Sequence, residues 1–173
     1  PYGWGGLYGN RDCSAMTRDF FAPFGIWLPR HSEDQAKKVG TYIDLENLEP
    51  EQKEKIILEQ GIPYLSLLWR KGHVMLYIGA KDNKALIFHN VWGLKTVDLC
   101  GREERKIIGK AVITTLCPGA ELPCLDPEGS LLKNISAMTI LGPVKQNRQI
   151  QPDGAISQAV PENSGLRNRS VYL

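Results

Sequence analysis

Apolar residues recur at helical spacing in the first third of the chain and alternate in the middle third. Ala15, Met16, Phe20 and Phe21 share one face of a helix that opens near Cys13 and ends around Pro23-Phe24-Gly25. GIWLPRHSEDQAKKVG reads as a turn and then a short helix, capped by Ser32 with Gln35 at the capping-box position. TYIDLENL has strand character in its first residues, and EPEQKEKIILEQG is a charged helix stopped by Gly61. Beyond Gly61 the period changes. IPYLSLLWR, a Lys71-Gly72 turn, HVMLYIGA, an Asp82-Asn83 turn and ALIFHNVWG form a run of strands joined by hairpins. A further strand, RKIIGKAVITTL, follows a loop that holds Cys100, and Ser130 to Leu141 reads as one more short element. Helices first and an antiparallel meander after them predict an α+β fold.

At 173 residues the chain is long enough for one domain with an appendage. The expected division is a domain over 1–120 and a C-terminal extension over 121–173. From about Lys145 the extension is polar and rich in Pro, Gly and Asn, a composition that cannot build its own core. Its scattered apolar residues, such as Ile150, Val160 and Leu173, suit a strap laid over a surface made by other residues. That surface is either the back of the sheet or a domain upstream of Pro1, and the upstream domain is favoured. The chain opens with Pro1 rather than Met, inside a motif, and so reads as a piece of a longer protein.

Charge narrows the partners. Lys and Arg number 21 against 19 Asp and Glu, a net +2 with no basic block, which argues against nucleic acid. The apolar runs are too short to span a membrane. Of the four cysteines, Cys13, Cys100, Cys117 and Cys124, none forms a CxxC pair, and the three histidines do not fall at metal-ligand spacing. No metal or other cofactor is expected. Cys117 and Cys124 bracket the loop CPGAELPC, and the sequence leaves open whether they close it as a disulfide.

The candidate chemistry centres on Cys13. Asp12 and Ser14 are residue types that satisfy free N–H groups at a helix start, which puts the Cys13 sulfur in the first turn. Backbone dipoles there favour the thiolate, and a neighbouring imidazolium would favour it further. Gly3, Gly5, Gly6 and Gly9 precede it, so this backbone can pass close to a ligand. A lone helical cysteine also reads as a buried, inert residue. His73 opens one strand and His89 lies on the next, so a suitable register makes them neighbours on one face. A thiol, a base and an orienting second histidine are the parts that nucleophilic catalysis needs. The plain alternative is two ordinary strand-end histidines. His31 falls in a polar loop and reads as surface, and the four tryptophans read as core or cleft wall.

Several motifs in order, PYGWGG, DCSA, GIWLPRHSEDQ and GHVMLYIGA with FHN after it, resemble those of the NlpC/P60 cysteine peptidases over about residues 1 to 116. The resemblance implies a papain-like fold with N-terminal helices packed on an antiparallel sheet, residues 1–120 being its catalytic domain. It implies Cys13 as nucleophile, His73 as base, His89 as the residue orienting His73, and Tyr2 as a hydroxyl near the thiolate or oxyanion. Asp12 and Ser14 would line the subsite for the substrate's amino end. Arg30 either touches substrate or caps a carbonyl. The sequence departs from the family pattern at Ala15 and Met75, where glycine is common; both add bulk near the cleft and neither removes a reacting group.

The implied reaction is hydrolysis of the γ-D-glutamyl to diamino-acid bond of peptidoglycan stem peptides in the cell envelope, with SH3-like domains expected upstream. Two other classes stay open. One is the same thiol chemistry on another amide or ester, as in a toxin-like deamidase or acyltransferase. The other is a non-catalytic module that binds peptidoglycan peptides.

Overall fold

In the computed structural model, residues 1–98 and 101–142 are described. The expected strap over 145–173 and Cys100 lie outside the described residues. Helix α1 (Cys13–Phe21) begins at Asp12, whose side chain accepts the Ala15 N–H, and passes into a 3-10 turn over Ala22–Phe24 that ends where Gly25 turns left-handed. Its inward residues are Cys13, Met16, Thr17 and Phe21. Helix α2 (Ser32–Lys37) differs from expectation at its start. Its N-cap is His31, which makes no side-chain capping bond. Gln35 points inward, donating to the carbonyls of Ser14 and Pro29 and accepting from the Thr17 hydroxyl, so it ties α2 to α1.

Strand β1 (Thr41–Asp44) and helix α3 (Pro50–Gln60) follow, with a Glu49–Gln52 capping box opening α3. Gly61 stops α3 as expected, and any side chain there would strike the Ile57 carbonyl and the Tyr77 ring. Strands β2 (Ser66–Arg70), β3 (His73–Lys81), β4 (Lys84–Val97) and β5 (Glu103–Thr115) form the predicted meander, all antiparallel. Asp82 and Asn83 both take positive φ at the β3–β4 turn, the conformation a two-residue hairpin loop needs.

The stretch after residue 120 supplies more than an appendage. Helix α4 (Leu131–Asn134), capped by Ser130, leads into strand β6 (Ala137–Ile140). The sheet order is β1-β6-β2-β3-β4-β5, so β6 lies between β1 and β2 and the sheet extends beyond the boundary expected at residue 120. All four residues of β6 are buried, and a four-residue run buried on both faces has no alternation to betray it.

Two apolar clusters hold the layers together. Leu45, Ile57, Met75, Ile87, Leu132 and Met138 join α3 and α4 to one side of the sheet. Cys13, Phe21, Leu28, Leu67, Val74 and Leu76 join α1 to the other. Alternation along β3 sends Val74 and Leu76 one way and Met75 and Tyr77 the other, as the sequence pattern requires. Among the described residues no helix is long and apolar enough to cross a membrane.

Candidate active site

Cys13 is the first residue of α1 and is only 6% exposed. The loop before it is pinned from two sides. Asn90 on β4 donates its side-chain N–H to the Arg11 carbonyl at 2.6 Å, and Gly3 donates its backbone N–H to the same carbonyl at 3.0 Å. Gly3 admits no side chain, since a Cβ would sit 2.4 Å from that of Asn10.

Tyr2 is held by β5. The β4–β5 register slips by one residue between Val91 and Gly93, so that Ile108 and Gly109 together oppose Trp92. Gly109 takes φ +65° there, and its carbonyl accepts the Tyr2 N–H at 2.8 Å. The Tyr2 ring packs on Trp92 with centroids 6.0 Å apart. Burial, then the Cys13 and Asp12 charges, raise the phenol above its ordinary range, so it remains a donor at neutral pH.

The two histidines meet. Nε2 of His73 lies 3.0 Å from Nδ1 of His89, and Nε2 of His89 lies 3.1 Å from the Thr114 hydroxyl. That hydroxyl donates its own proton to the Thr115 carbonyl at 2.8 Å. Thr114 can therefore only accept from His89, which fixes the His89 proton on Nε2 and leaves Nδ1 as an acceptor. His73 must then donate from Nε2, and its Nδ1 is left with a free lone pair. Burial, followed by the charges of His89 and Arg70, lowers His73 to about 3, and burial lowers His89 to about 4. Both rings are neutral at physiological pH.

Cys13 and His73 share no hydrogen bond among the described residues. The thiol is tied to the start of β3 by the backbone N–H of Val74, the residue after His73. Burial pushes the thiol up, the Asp12 charge adds to this, and the N–H groups of Val74, Ser14 and Cys13 offset it only in part. The helix dipole thus does not win in the resting site. Desolvation outweighs it, and the resting form is thiol beside imidazole rather than the thiolate favoured on sequence grounds.

Asp12, Ser14 and Arg30 come together beside the thiol. Arg30 donates to Asp12 Oδ2 at 2.6 Å, to Asp12 Oδ1 at 3.1 Å and to the Ser14 hydroxyl at 2.8 Å. Burial works against the Asp12 carboxylate, but the Arg30 and Ala15 bonds prevail and hold it below the usual range. His31 is exposed, and among the described residues its side chain forms no hydrogen bond or ion pair with these groups.

A cavity of about 490 Å³ opens on the histidine side, with Tyr2, Arg70, His73, His89, Trp92 and Arg105 in its wall. Trp4 also borders it although 80% exposed, whereas Trp27 is 74% exposed and is neither core nor cavity wall. Cys117 and Cys124 are both free and exposed. Among the described residues no three His, Cys, Asp or Glu side chains gather as metal ligands. Sequence reasoning missed Thr114, Asn90 and Arg70. Thr114 had no signal without the β4–β5 register, while Asn90 follows His89 directly in the FHN motif.

These observations can be set beside known proteins. No curated protein matches the chain. Among solved structures it is similar to a novel NlpC/P60 endopeptidase from Photobacterium damselae subsp. piscicida, with TM-score 0.72 and 30% identity. The match covers 82% of this chain and 35% of that one, so the chain spans about a third of that protein's length. The NlpC/P60 family model matches residues 1–99, which hold Tyr2, Cys13, His73 and His89. With a family model over more than half its length and a matching α+β fold, the chain belongs to the NlpC/P60 family.

Proposed function

We propose that this chain is a cysteine endopeptidase that cuts the γ-D-glutamyl to diamino-acid bond of peptidoglycan stem peptides in the cell envelope. The observation that carries the reading is the hydrogen-bonded His73–His89 pair at the end of the strand whose Val74 N–H meets the Cys13 thiol. Cys13 Sγ attacks the amide carbonyl as its proton passes to Nδ1 of His73, the ring nitrogen that His89 leaves unused. The sulfur–carbon bond forms and the oxyanion meets the Tyr2 hydroxyl and the backbone N–H of Cys13. The carbon–nitrogen bond then breaks, and the leaving amine takes the proton from His73. Water hydrolyses the thioester, giving its proton to His73 and restoring the thiol.

Asp12, paired with Arg30 and Ser14, stays ionised and offers the negative charge that a free substrate amino group seeks. The endopeptidase named among similar structures supports the reaction type, and the family supports the cell-wall substrate. SH3-like domains in the parent protein remain part of the proposal. Mass spectrometry of purified muropeptides incubated with the protein tests it. Release of L-Ala-γ-D-Glu supports the reading. A deamidated or transferred product would assign the same thiol to other chemistry, and unchanged peptides would make the domain a binding module.

A further inference from the structure

Arg70 closes β2 directly opposite His73 in the β2–β3 ladder, across the Lys71-Gly72 turn. Residues opposed in an antiparallel ladder send their side chains to the same face, and both line the cavity. The second arginine of that wall, Arg105, comes from β5. Among the described residues Arg70 makes no ion pair and no side-chain hydrogen bond, although it is half-buried. Among the described residues Arg105 forms one ion pair, a long one with Glu103 at 3.9 Å. Of the other charges of the wall, Lys95 pairs with Asp126 and Glu103 and Glu128 pairs with Lys133, while Lys71 has no ion pair among the described residues. Burial, and then the Arg105 charge, lowers the Arg70 pKa, so the Arg70 guanidinium is costly to hold there without an anion.

The chemistry of the site says which part of a substrate lies there. The leaving amine takes its proton from His73, so the leaving half of the peptide lies on the His73 side of the thiol. That is the side of the cavity, which Asp12, Ser14 and Arg30 do not line.

We infer that Arg70 and Arg105 form a carboxylate-binding subsite for the leaving half of the substrate. Guanidinium groups meet carboxylates through paired, charge-assisted hydrogen bonds, and an arginine without a partner beside the base is placed for one. The inference rests on the peptidase reading and adds the feature that selects its substrate. The leaving half of a γ-D-glutamyl diamino-acid peptide offers two carboxylates. One is the α-carboxylate when the diamino acid is the last residue. The other is a side-chain carboxylate, present in diaminopimelic acid and absent from lysine.

The test uses binding, which is separable from cleavage. Cys13→Ala protein is titrated calorimetrically with L-Ala-γ-D-Glu-diaminopimelate and with its two mono-amides, one blocked at the α-carboxylate and one at the side chain. Blocking the carboxylate that is read should weaken binding roughly tenfold or more, and the mono-amide that suffers identifies it. Adding Arg70→Gln should remove that difference. Arg105→Gln, at an exposed position, should reduce it and serves if the Arg70 variant does not fold. Equal binding of all three peptides, binding of none, or a preference that survives both substitutions overturns the subsite. Cleavage is scored separately with the protein retaining Cys13, so intact peptides there count against the proposed bond and not against the arginines.

Discussion

Nε2 of His73 and Nδ1 of His89 lie 3.0 Å apart on neighbouring strands, and Thr114 on a third strand decides which of the two nitrogens carries the proton. The three side chains run diagonally across β3, β4 and β5. The proposed base, His73, is thus set by a hydrogen-bond chain that ends on a backbone carbonyl, with no carboxylate in it.

Thr114→Val keeps the shape and removes the acceptor that fixes the His89 tautomer. A neutral hydrogen bond of this kind is worth about 0.5–1.5 kcal/mol, so kcat should fall roughly 3- to 10-fold with little change in KM. Thr114→Ser should restore it. Equal loss in both variants would make Thr114 a packing residue.

The histidines should rank by distance from the chemistry. His73→Ala should cost roughly 10³-fold or more in kcat/KM, because the proton has no other carrier. His89→Ala should cost about 10- to 100-fold, the scale of losing an orienting partner. His31→Ala should be silent, since His31 is exposed and its side chain makes no hydrogen bond to the cluster among the described residues. A kinetic ranking with His31 above His89 contradicts the assignment.

Acid should destabilise the fold through the same pair. Both histidines are lowered in the folded state, to about 3 and about 4, against an ordinary value near 6.5. The unfolded chain therefore binds more protons below about pH 6.5, and stability rises with pH through that window. At about 1.4 kcal/mol per pKa unit, the loss on going down to about pH 4 amounts to several kcal/mol. Asp12, held low by Arg30 against its burial, adds its own loss only below the carboxylate range. Thermal melts across pH should show the decline beginning near 6.5, and His73→Gln should flatten it. A melting temperature constant from pH 7 to 4 would contradict the buried neutral pair.

Cys13 should alkylate as a buried thiol. Burial raises it, so its reaction with iodoacetamide should follow a limb above the ordinary thiol value of about 8.5. Full-rate alkylation at pH 6 would reveal a preformed thiolate–imidazolium pair and place proton transfer before substrate binding.

Much of this was legible in the chain. Asp12-Cys13-Ser14 announced a helix start because capping chemistry is local, and the His73 and His89 strands showed through alternation and turn residues. Three features were not. The short element read over Ser130 to Leu141 had no assignable type, because strand β6 within it is too short and too buried to carry a period. The capping box expected over Ser32 and Gln35 did not form: α2 starts one residue earlier, at an N-cap of His31, and the Gln35 side chain is bonded to Ser14, Pro29 and Thr17. The charge state of Cys13 depends on how dry its surroundings are, and no local motif encodes that.

The central claim is that the Cys13 sulfur does the chemistry. The direct measurement is kcat/KM for the γ-D-glutamyl to diamino-acid bond with the unaltered protein and with Cys13→Ala, both shown to melt at similar temperatures. The account predicts cleavage by the former and a loss of roughly 10³-fold or more in the latter. Cleavage by Cys13→Ala within tenfold of the unaltered protein would contradict it.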